Sequence, residues 1–357
     1  KKIFYTNYME SISPANKVGI FYNPFLEKHL ENVYHIEQPL RTKNTYKKLQ
    51  ELLSDRVKFF ISNERISVET IERVHDKHYV EKILSFSDLK EEVFLDPDTV
   101  VAENSVDCAI LSASLVCMGI REVIEGNLNS AFVLSRPPGH HATKNQAMGF
   151  CIFNNIAIGA QMLIDEYNIS RIAIVDFDVH HGNGTQDIFY TSDKVLYIST
   201  HRYPFYPGTG YFNQIGRGDG LGFNVNIPLP EGAGDNEFSF VYTDIIRKIL
   251  KKFEPEIILV SAGFDAHYSD PLGGMTLTEK GFRQIINSIL LSSPNGKVVL
   301  ALEGGYNVNT LPSVIYEVIE EMIRPSDKPL LVPQPSITVE EVLENFLTYI
   351  NNYWNIL

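Results

Sequence analysis

One stretch, residues 172–184, restricts the possible folds of this chain more than any other. It reads I-A-I-V-D-F-D-V-H-H-G-N-G. The apolar residues at its start predict a strand that is buried on both faces of a parallel sheet. Asp176, Asp178 and His180 follow at alternate positions, so their side chains share one side of an extended chain. The two glycines at the end predict a loop.

The charged residues at the end of this strand need a counter-charge if they are buried. Two carboxylates and an imidazole are costly to bury unless a cation or a proton lies between them. An aspartate and a histidine two residues apart, such as Asp178 and His180, can both ligate zinc. The alternative is that the acids cap the next helix, and polar residues elsewhere in the chain make this the less favoured interpretation.

Apolar strands alternate with amphipathic helices along the whole chain, which predicts an α/β fold with a parallel sheet covered on both faces. The 357 residues contain no linker, repeat or low-complexity tract, so we expect residues 1–357 to form a single domain. Residues 1–17 form an N-terminal extension of uncertain role. Residues 325–357 form a C-terminal tail with a helix that packs on the domain.

Local signals predict where two helices begin and end. Ser105 is the expected N-cap of a long apolar helix, and Gly126 is placed to end that helix. Near the C-terminus, Thr338 and Glu341 form the pattern of a capping box, which predicts a further helix there.

Polar residues follow four of the predicted strands. The pair His140 and His141 comes after one of them, Asp178 and His180 after the next, then Asp265 and finally Tyr306. In an open parallel sheet such strand ends assemble binding sites. Each signal also has a structural explanation, because Asp265 could cap a helix and Tyr306 could simply pack.

Together these residues indicate a reaction class. Asp178, His180 and Asp265 make a three-ligand metal site with a position left for water. Adjacent histidines can transfer protons, and a tyrosine hydroxyl can stabilise an oxyanion. The pattern predicts metal-assisted hydrolysis of a carbonyl compound.

Composition excludes several other functions. The net charge of −13 argues against direct binding to nucleic acid. Cys108, Cys117 and Cys151 form no C-x-x-C motif, so neither a disulfide framework nor a thiolate zinc site is indicated. No apolar stretch is long enough to span a membrane. We therefore expect a cytoplasmic protein; the sequence leaves its oligomeric state open.

At this point the chain resembles the zinc-dependent histone deacetylase family, in the branch that includes class II enzymes and bacterial deacetylase-like amidohydrolases. The resemblance runs from about Val18 to Arg324 and implies the arginase/deacetylase fold, an eight-stranded parallel sheet with helices on both faces. The matching segments are R-P-P-G-H-H-A (136–142), G-F-C-I-F-N-N (149–155), V-D-F-D-V-H-H-G-N-G-T (175–185), S-A-G-F-D-A (261–266), D-P-L-G-G (270–274) and E-G-G-Y (303–306).

The resemblance implies two cation sites. One zinc ion would be held by Asp178, His180 and Asp265. A monovalent cation, potassium, would be held by Asp176, Asp178, His180 and Ser199.

It also implies a division of catalytic roles. His141 would be the general base and then the acid for the leaving amine, and His140 would be its electrostatic partner, oriented by Asp176. Asn183 takes the place of an aspartate in class I enzymes, which is a class II trait. Tyr306 would donate a hydrogen bond to the oxyanion.

The substrate would reach the metal through a narrow channel. Tyr206 departs from the family, which has phenylalanine there, and Asp98 is the expected rim acid. Arg41 matches an arginine of the acetate-exit region. The residues expected to line the channel are Asp98, Gly149, Phe150, Tyr206, Leu272 and Gly304.

The implied reaction is removal of the acetyl or another acyl group from lysine in proteins or peptides, and the sequence leaves three alternatives to weigh. An acetylpolyamine deacetylase would carry an acidic gatekeeper where this chain has Leu272, which favours acetyl-lysine. An arginase-type ureohydrolase would need a second metal and further aspartates, so we reject it. A non-catalytic module that binds acetylated peptides would have no need of Tyr306 and both histidines.

Overall fold

A parallel sheet of eight strands forms the centre of the computed structural model, which describes residues 15–356. In chain order the strands are β1 (Val18–Phe21), β2 (Lys58–Phe60), β3 (Val93–Phe94), β4 (Val100–Val101), β5 (Ser130–Val133), β6 (Ile172–Asp176), β7 (Val195–Arg202), β8 (Asn224–Leu229), β9 (Ile257–Ala262) and β10 (Val298–Leu302). Their order in the sheet is β2-β1-β5-β10-β9-β6-β7-β8. The short strands β3 and β4 form a separate antiparallel pair.

Helices connect the strands in the described part of the chain. They are α1 (Leu40–Leu53), α2 (Val68–Glu72), α3 (Lys77–Leu84), α4 (Ser105–Ile124), α5 (Asn155–Tyr167), α6 (Asn183–Phe189), α7 (Asp235–Phe240), α8 (Arg247–Phe253), α9 (Glu279–Leu290), α10 (Leu311–Ile323), α11 (Ile337–Tyr349) and α12 (Asn351–Trp354). A π-helical segment, Val241–Ile246, joins α7 to α8. Within residues 15–356, no helix combines the length and the apolar character that a bilayer crossing requires.

The sheet separates two hydrophobic cores, as its fully apolar strands predict. Helices α3, α4 and α5 contribute to the core on one face, together with Val133 and Ile174. Helices α1, α9 and α10 contribute to the core on the other face, together with Phe132 and Val175. Neighbouring residues of one strand thus enter opposite cores. The predicted α/β fold with a covered parallel sheet is confirmed.

Two predicted helix caps are wrong. Asn104, not Ser105, is the N-cap of α4; the Ser105 hydroxyl accepts a hydrogen bond from the Ala102 N–H at 2.9 Å instead. Ser336, not Thr338, caps α11, because its extended backbone lets its side chain accept from the Val339 N–H. Gly126 follows α4 with φ +81°, as its predicted role requires.

Both ends of the described chain contact the body of the domain. The backbone N–H of Asn16 donates to the carbonyl of Ile323 at the end of α10. Residues 1–14 of the predicted extension lie outside the described residues. In the C-terminal segment, Phe346 is buried and the indole N–H of Trp354 donates to the carbonyl of Gly222 at 2.8 Å.

Candidate active site

The three residues predicted to be metal ligands meet at the carboxyl ends of β6 and β9. One ligand atom each from Asp178, His180 and Asp265 can be chosen so that all three lie within 4.8 Å of one another. Nδ1 of His180 lies 3.1 Å from Oδ1 of Asp178 and 3.1 Å from Oδ2 of Asp265. Both carboxylates are buried, whereas the His180 side chain is 12% exposed. The group forms a possible metal-binding site.

The charges of this group suit a cation. Burial and the neighbouring charge of Asp178 raise the pKa of Asp265 to about 7. Burial disfavours the charged form of His180, but hydrogen bonds to the two carboxylates outweigh it and raise its pKa to about 10. A site that holds a proton so strongly between two carboxylates offers the same stabilisation to a metal ion. Two carboxylates and one imidazole are ligands that zinc accepts in open catalytic sites.

Backbone groups orient the two carboxylates. Asp178 accepts from the Gly304 N–H at 2.8 Å, and Asp265 accepts from the Val179 N–H at 2.9 Å. A Cβ atom at Gly304 would overlap both carboxylates, and one at Gly263 would overlap Asp178. The glycine of the S-A-G-F-D motif and the first glycine of the E-G-G-Y motif are therefore explained by close packing around the metal-binding group.

His140 is paired with Asp176. Nδ1 of His140 lies 2.9 Å from Oδ2 of Asp176, which also accepts from the hydroxyl of Tyr197 at 3.0 Å. Burial opposes a charge on His140, but Asp176, Asp178 and Glu303 outweigh it and raise its pKa well above the ordinary value. These carboxylates therefore favour the charged form of His140.

His141 is paired with Asn183 and has the opposite tendency. Its Nδ1 donates to Oδ1 of Asn183 at 2.7 Å, which leaves Nε2 as the acceptor. Burial, followed by the charges of His140 and His180, lowers the pKa of His141 well below its ordinary value. The rings of the two adjacent histidines lie 4.1 Å apart between centroids. Environments that push two such pKa values apart assign one group as a cation and the other as a base.

Tyr306 lies beside these groups with its hydroxyl protonated. Burial raises the pKa of Tyr306 well above its ordinary value; Arg41 opposes this and Asp265 adds to it. The Tyr306 ring is 7% exposed and meets the edge of Phe150 at 5.7 Å between centroids. A neutral phenol can donate a hydrogen bond to an oxygen that becomes negative.

His141, His180 and Tyr306 border one cavity of about 270 Å³. Its lining residues are Asp98, His141, Gly149, Phe150, His180, Phe205, Tyr206, Leu272 and Tyr306. Five of the six residues predicted for the channel are among them. The sixth, Gly304, is buried against Asp178 and Asp265 instead.

The position of Gly149 is determined by His141. Gly149 has φ +56°, and a Cβ atom there would overlap the His141 ring. Phe150 follows with φ +68° and turns its ring into the cavity. Two consecutive left-handed residues thus carry the chain close past the histidine.

Arg41 lies behind Tyr306, fully buried. Its Nε donates to the Gly305 carbonyl at 2.7 Å, and its Nη1 donates to Glu37 at 2.8 Å. Its guanidinium carbon lies 4.9 Å from the centroid of the Tyr306 ring. The side chain therefore lies behind the Tyr306 ring, and its place in an acetate-exit region stays a prediction.

Three of the four residues predicted for a monovalent cation lie at the end of β6 or just after it, and the fourth, Ser199, lies within β7. Asp176 and Ser199 are register partners. The Asp178 N–H donates to Oδ1 of Asp176 at 3.2 Å, and His180 follows two residues later. The Ser199 hydroxyl hydrogen-bonds Nδ1 of His201 at 2.8 Å.

Two residues that the structure places in the site, Glu303 and Phe205, were not assigned to it from the sequence. Glu303 accepts hydrogen bonds from the Gly139 N–H at 2.6 Å and the His140 N–H at 3.1 Å, so it fixes the histidine loop. Phe205 stacks on His180 at 5.1 Å between centroids, with the guanidinium of Arg202 over its other face at 4.1 Å. Two features of the sequence could have indicated them. Glu303 is an acid directly after an apolar strand, and Phe205 is an aromatic residue next to Tyr206.

Comparisons with known proteins agree with this geometry. Residues 35–322 match the sequence model of the histone deacetylase domain family. Histone deacetylase 18 of Arabidopsis thaliana is 38% identical over 312 residues, which cover 83% of this chain and 46% of that protein. A probable deacetylase of Archaeoglobus fulgidus is 38% identical over 296 residues, which cover 81% of each.

The fold agrees with a solved structure. The crystal structure of the HDA15 HD domain superposes with a TM-score of 0.87 at 30% identity and covers 95% of this chain and 96% of that one. The chain spans less than half the length of the Arabidopsis relative. From the matched domain, the identity to these relatives and the shared fold, the chain belongs to the histone deacetylase family.

Proposed function

We propose that this chain is a zinc-dependent amidohydrolase that removes the acetyl group from acetyl-lysine in peptides or proteins. One observation carries the proposal: His180 of the possible metal-binding group, His141 and Tyr306 border the same cavity. The names of the relatives support deacetylation as the reaction.

The cavity suits the side chain of acetyl-lysine. Phe150, Phe205, Tyr206 and Leu272 provide apolar walls for the methylene stem. Asp98 lies at the same cavity, half-buried, where its carboxylate can accept hydrogen bonds from the backbone of a peptide. Acetyl-lysine has a long apolar stem with a polar group at each end, which matches apolar cavity walls with polar residues beside them.

Zinc would be held by Asp178, His180 and Asp265. When bound, zinc supplies a Lewis acid for the acetyl carbonyl and lowers the pKa of the attacking water. Potassium would be held by Asp176, Asp178, His180 and Ser199.

Proton transfer belongs to His141 in this proposal. Its neutral ring has Nε2 free to take a proton from the attacking water, and Asn183 holds Nδ1 as a donor. The same proton can then pass to the leaving amine. His140 remains a cation beside Asp176 and stabilises the negative charge that develops next to it.

Tyr306 would donate its hydroxyl hydrogen to the developing oxyanion. Removing one such donor typically costs about 10²- to 10³-fold in kcat. After cleavage, Arg41 would guide the acetate along the inner side of the site, since its buried charge lies directly behind Tyr306.

The test is turnover of an acetyl-lysine peptide and of acetylated polyamines by zinc-loaded protein. Tyr306→Phe should lose about 10²-fold or more in kcat. Tyr79→Phe is the matched control, because both tyrosines are 7% exposed and the Tyr79 hydroxyl bonds only the Ile152 carbonyl among the described residues, away from the cavity.

The outcomes separate the alternatives. Peptide turnover that Tyr306→Phe removes and Tyr79→Phe leaves intact supports the proposal. A clear preference for polyamines would overturn the choice of acetyl-lysine, and binding of acetylated peptide without any turnover would favour a binding module.

A further inference from the structure

The D-P-L-G-G segment, residues 270–274, begins with an acid whose two oxygen atoms hold two different walls of the cavity. Oδ2 of Asp270 accepts from the backbone N–H of Tyr306 at 2.7 Å. Oδ1 accepts from the backbone N–H of Leu272 at 2.9 Å. Tyr306 and Leu272 both line the cavity. A single carboxylate therefore connects the loop after β9 to the loop after β10.

Every residue of the segment 303–306 is held by a polar contact. In order, these contacts are Glu303 to the Gly139 N–H, the Gly304 N–H to Asp178, the Gly305 carbonyl to Arg41 and the Tyr306 N–H to Asp270. The first three contacts are made by the loop that carries His140 and His141, by a predicted metal ligand and by Arg41. Only the contact from Asp270 to the Tyr306 N–H comes from another part of the structure. Loss of this contact would release the Tyr306 N–H and leave the preceding three residues held, with the Tyr306 ring still packed against Arg41 and Phe150.

The residue before Tyr306 makes this contact necessary. Gly305 has φ +115°, a conformation open to glycine but rarely to other residues. A glycine at that point can rotate, so the direction of the Tyr306 side chain depends on what holds the Tyr306 N–H. A carboxylate that accepts from backbone N–H groups forms stronger hydrogen bonds than a neutral acceptor.

We propose that Asp270 is a positioning residue that sets the hydroxyl of Tyr306 for catalysis and keeps Leu272 in the cavity wall. The proposal rests on the proposed deacetylase function. It assigns a role to the one acid of the D-P-L-G-G motif and predicts that Asp270 acts through Tyr306, not through the metal.

Two other roles for Asp270 must be distinguished. It could serve only the stability of its loop, or its negative charge could affect the metal-binding group, since Gly273 of the same motif packs directly on the backbone of Asp265. A stability role would change the melting temperature without a specific effect on kcat. An effect on the metal would appear as a lower zinc content.

The experiment is a double-mutant cycle of Asp270→Asn and Tyr306→Phe in the zinc-loaded protein, with an acetyl-lysine peptide as substrate. Asparagine retains one acceptor oxygen but cannot accept from both N–H groups with its side-chain amide. Since a displacement of about 1 Å can cost 10²-fold, we expect Asp270→Asn to lower kcat by about 10- to 100-fold with KM within about threefold. Zinc content should not change. In the Tyr306→Phe background the same substitution should change kcat less than about threefold, because the group that it positions is already absent.

Asp235→Asn is the matched control. Asp235, the first residue of α7, also accepts two hydrogen bonds, from the N–H of Thr278 at 2.9 Å and from its hydroxyl at 2.7 Å, and it does not line the cavity. This substitution should lower the melting temperature and leave kcat unchanged.

If Asp270→Asn lowers kcat by the same factor in the wild type and in the Tyr306→Phe variant, the proposal is overturned. If Tyr306→Phe has no measurable rate, a crystal structure of Asp270→Asn decides: an unmoved Tyr306 hydroxyl contradicts the proposal, and a displaced one beside unmoved metal ligands supports it. The two proposals fail differently. An inactive wild-type protein contradicts the deacetylase function, whereas an active wild type, an inactive Tyr306→Phe and a fully active Asp270→Asn contradict only the role of Asp270.

Discussion

Nδ1 of His141 lies 2.7 Å from the amide oxygen of Asn183. An amide in this position orients the ring without placing a negative charge beside it, so the ring remains a weak base. This contact makes the basicity of His141 adjustable by one substitution.

The first prediction concerns the pH dependence of Asn183→Asp. A carboxylate next to His141 favours its charged form and raises its pKa, so His141 becomes protonated at a higher pH. We expect the acidic limb of the kcat/KM profile to move up by about one pH unit. Asn145→Asp, the same change at an exposed position, should leave the limb in place. A limb that moves to lower pH would contradict the role of His141 as base.

A second prediction separates backbone strain from packing at Gly149. Gly149→Ala and Gly218→Ala both place a side chain at positive φ, +56° and +60°, but only the first new Cβ meets the His141 ring. Both should lose about 1–2 kcal/mol of stability. Only Gly149→Ala should lower kcat, by about tenfold or more, because a small displacement of a catalytic group is costly. Equal kcat values for the two variants would show that the contact with His141 is unimportant.

Metal removal should destabilise the fold. Asp178 and Asp265 are buried and adjacent, so their charges repel when no cation lies between them. Zinc at 100 times its Kd should raise the free energy of unfolding by about 2.7 kcal/mol. The zinc-dependent rise in melting temperature should disappear in Asp265→Ala and persist in Asp187→Ala, whose side chain is exposed. Persistence in both variants would place the metal elsewhere.

A further prediction concerns Leu272, which occupies the position where an acetylpolyamine deacetylase would have an acid. This residue lines the cavity, and a carboxylate there could pair with the distal ammonium of a polyamine. We expect Leu272→Glu to raise kcat/KM for acetylspermidine relative to the acetyl-lysine peptide by about tenfold, the value of about 1.4 kcal/mol. Leu272→Gln, which has the same size without the charge, should leave the ratio near that of the wild type. An unchanged ratio in Leu272→Glu would show that selectivity is determined elsewhere.

A buried histidine outside the site predicts sensitivity to acid. His75 donates from Nδ1 to the Thr143 carbonyl at 2.8 Å and accepts at Nε2 from the Asn154 N–H at 2.9 Å, so both ring nitrogens are used by the neutral form. Burial, only partly opposed by hydrogen bonds, lowers its pKa to about 4. Because the folded pKa lies below the unfolded value, this contribution to stability is complete above about pH 6.5 and is lost as the pH falls towards 4.

The measurement is urea unfolding of wild type and His75→Gln at several pH values. Between pH 7 and pH 4 the wild type should lose about 2–3 kcal/mol more than the variant. His78→Gln, at an exposed position three residues away, should behave as the wild type. Parallel curves for wild type and His75→Gln would contradict the neutral, buried assignment of His75.

The residues that meet around the metal-binding group could be predicted because their strands are neighbours. Parallel strands bring their carboxyl ends to one edge, so His140, Asp178, Asp265 and Tyr306 could be placed together from the order of apolar runs and polar ends. The motifs of the family then supplied their expected roles. Asn183 beside His141 also lies where the resemblance placed it.

Contacts between loops could not be predicted in the same way. The acceptors for the N–H groups of Tyr306 and His140 are Asp270 and Glu303, at sequence separations of 36 and 163 residues. Such contacts depend on how the loops fold back, which has no periodic signature. The misplaced caps have a local cause, since Ser336 and Thr338 are both suitable N-cap residues and only the backbone conformation selects between them.

The order of the strands has a consequence for how the protein acquires activity. Strand β10, the last in the chain, lies between β5 and β9 and is the only strand that pairs with both of these among the described residues. Without β10, the strands β2-β1-β5 and β9-β6-β7-β8 form two half-sheets with no strand pairing between them. The histidine pair belongs to one half and the metal-binding group to the other, while Tyr306 follows β10 itself. In the proposed enzyme the site is complete only when β10 pairs with both neighbours, so a molecule that lacks this pairing has no assembled site.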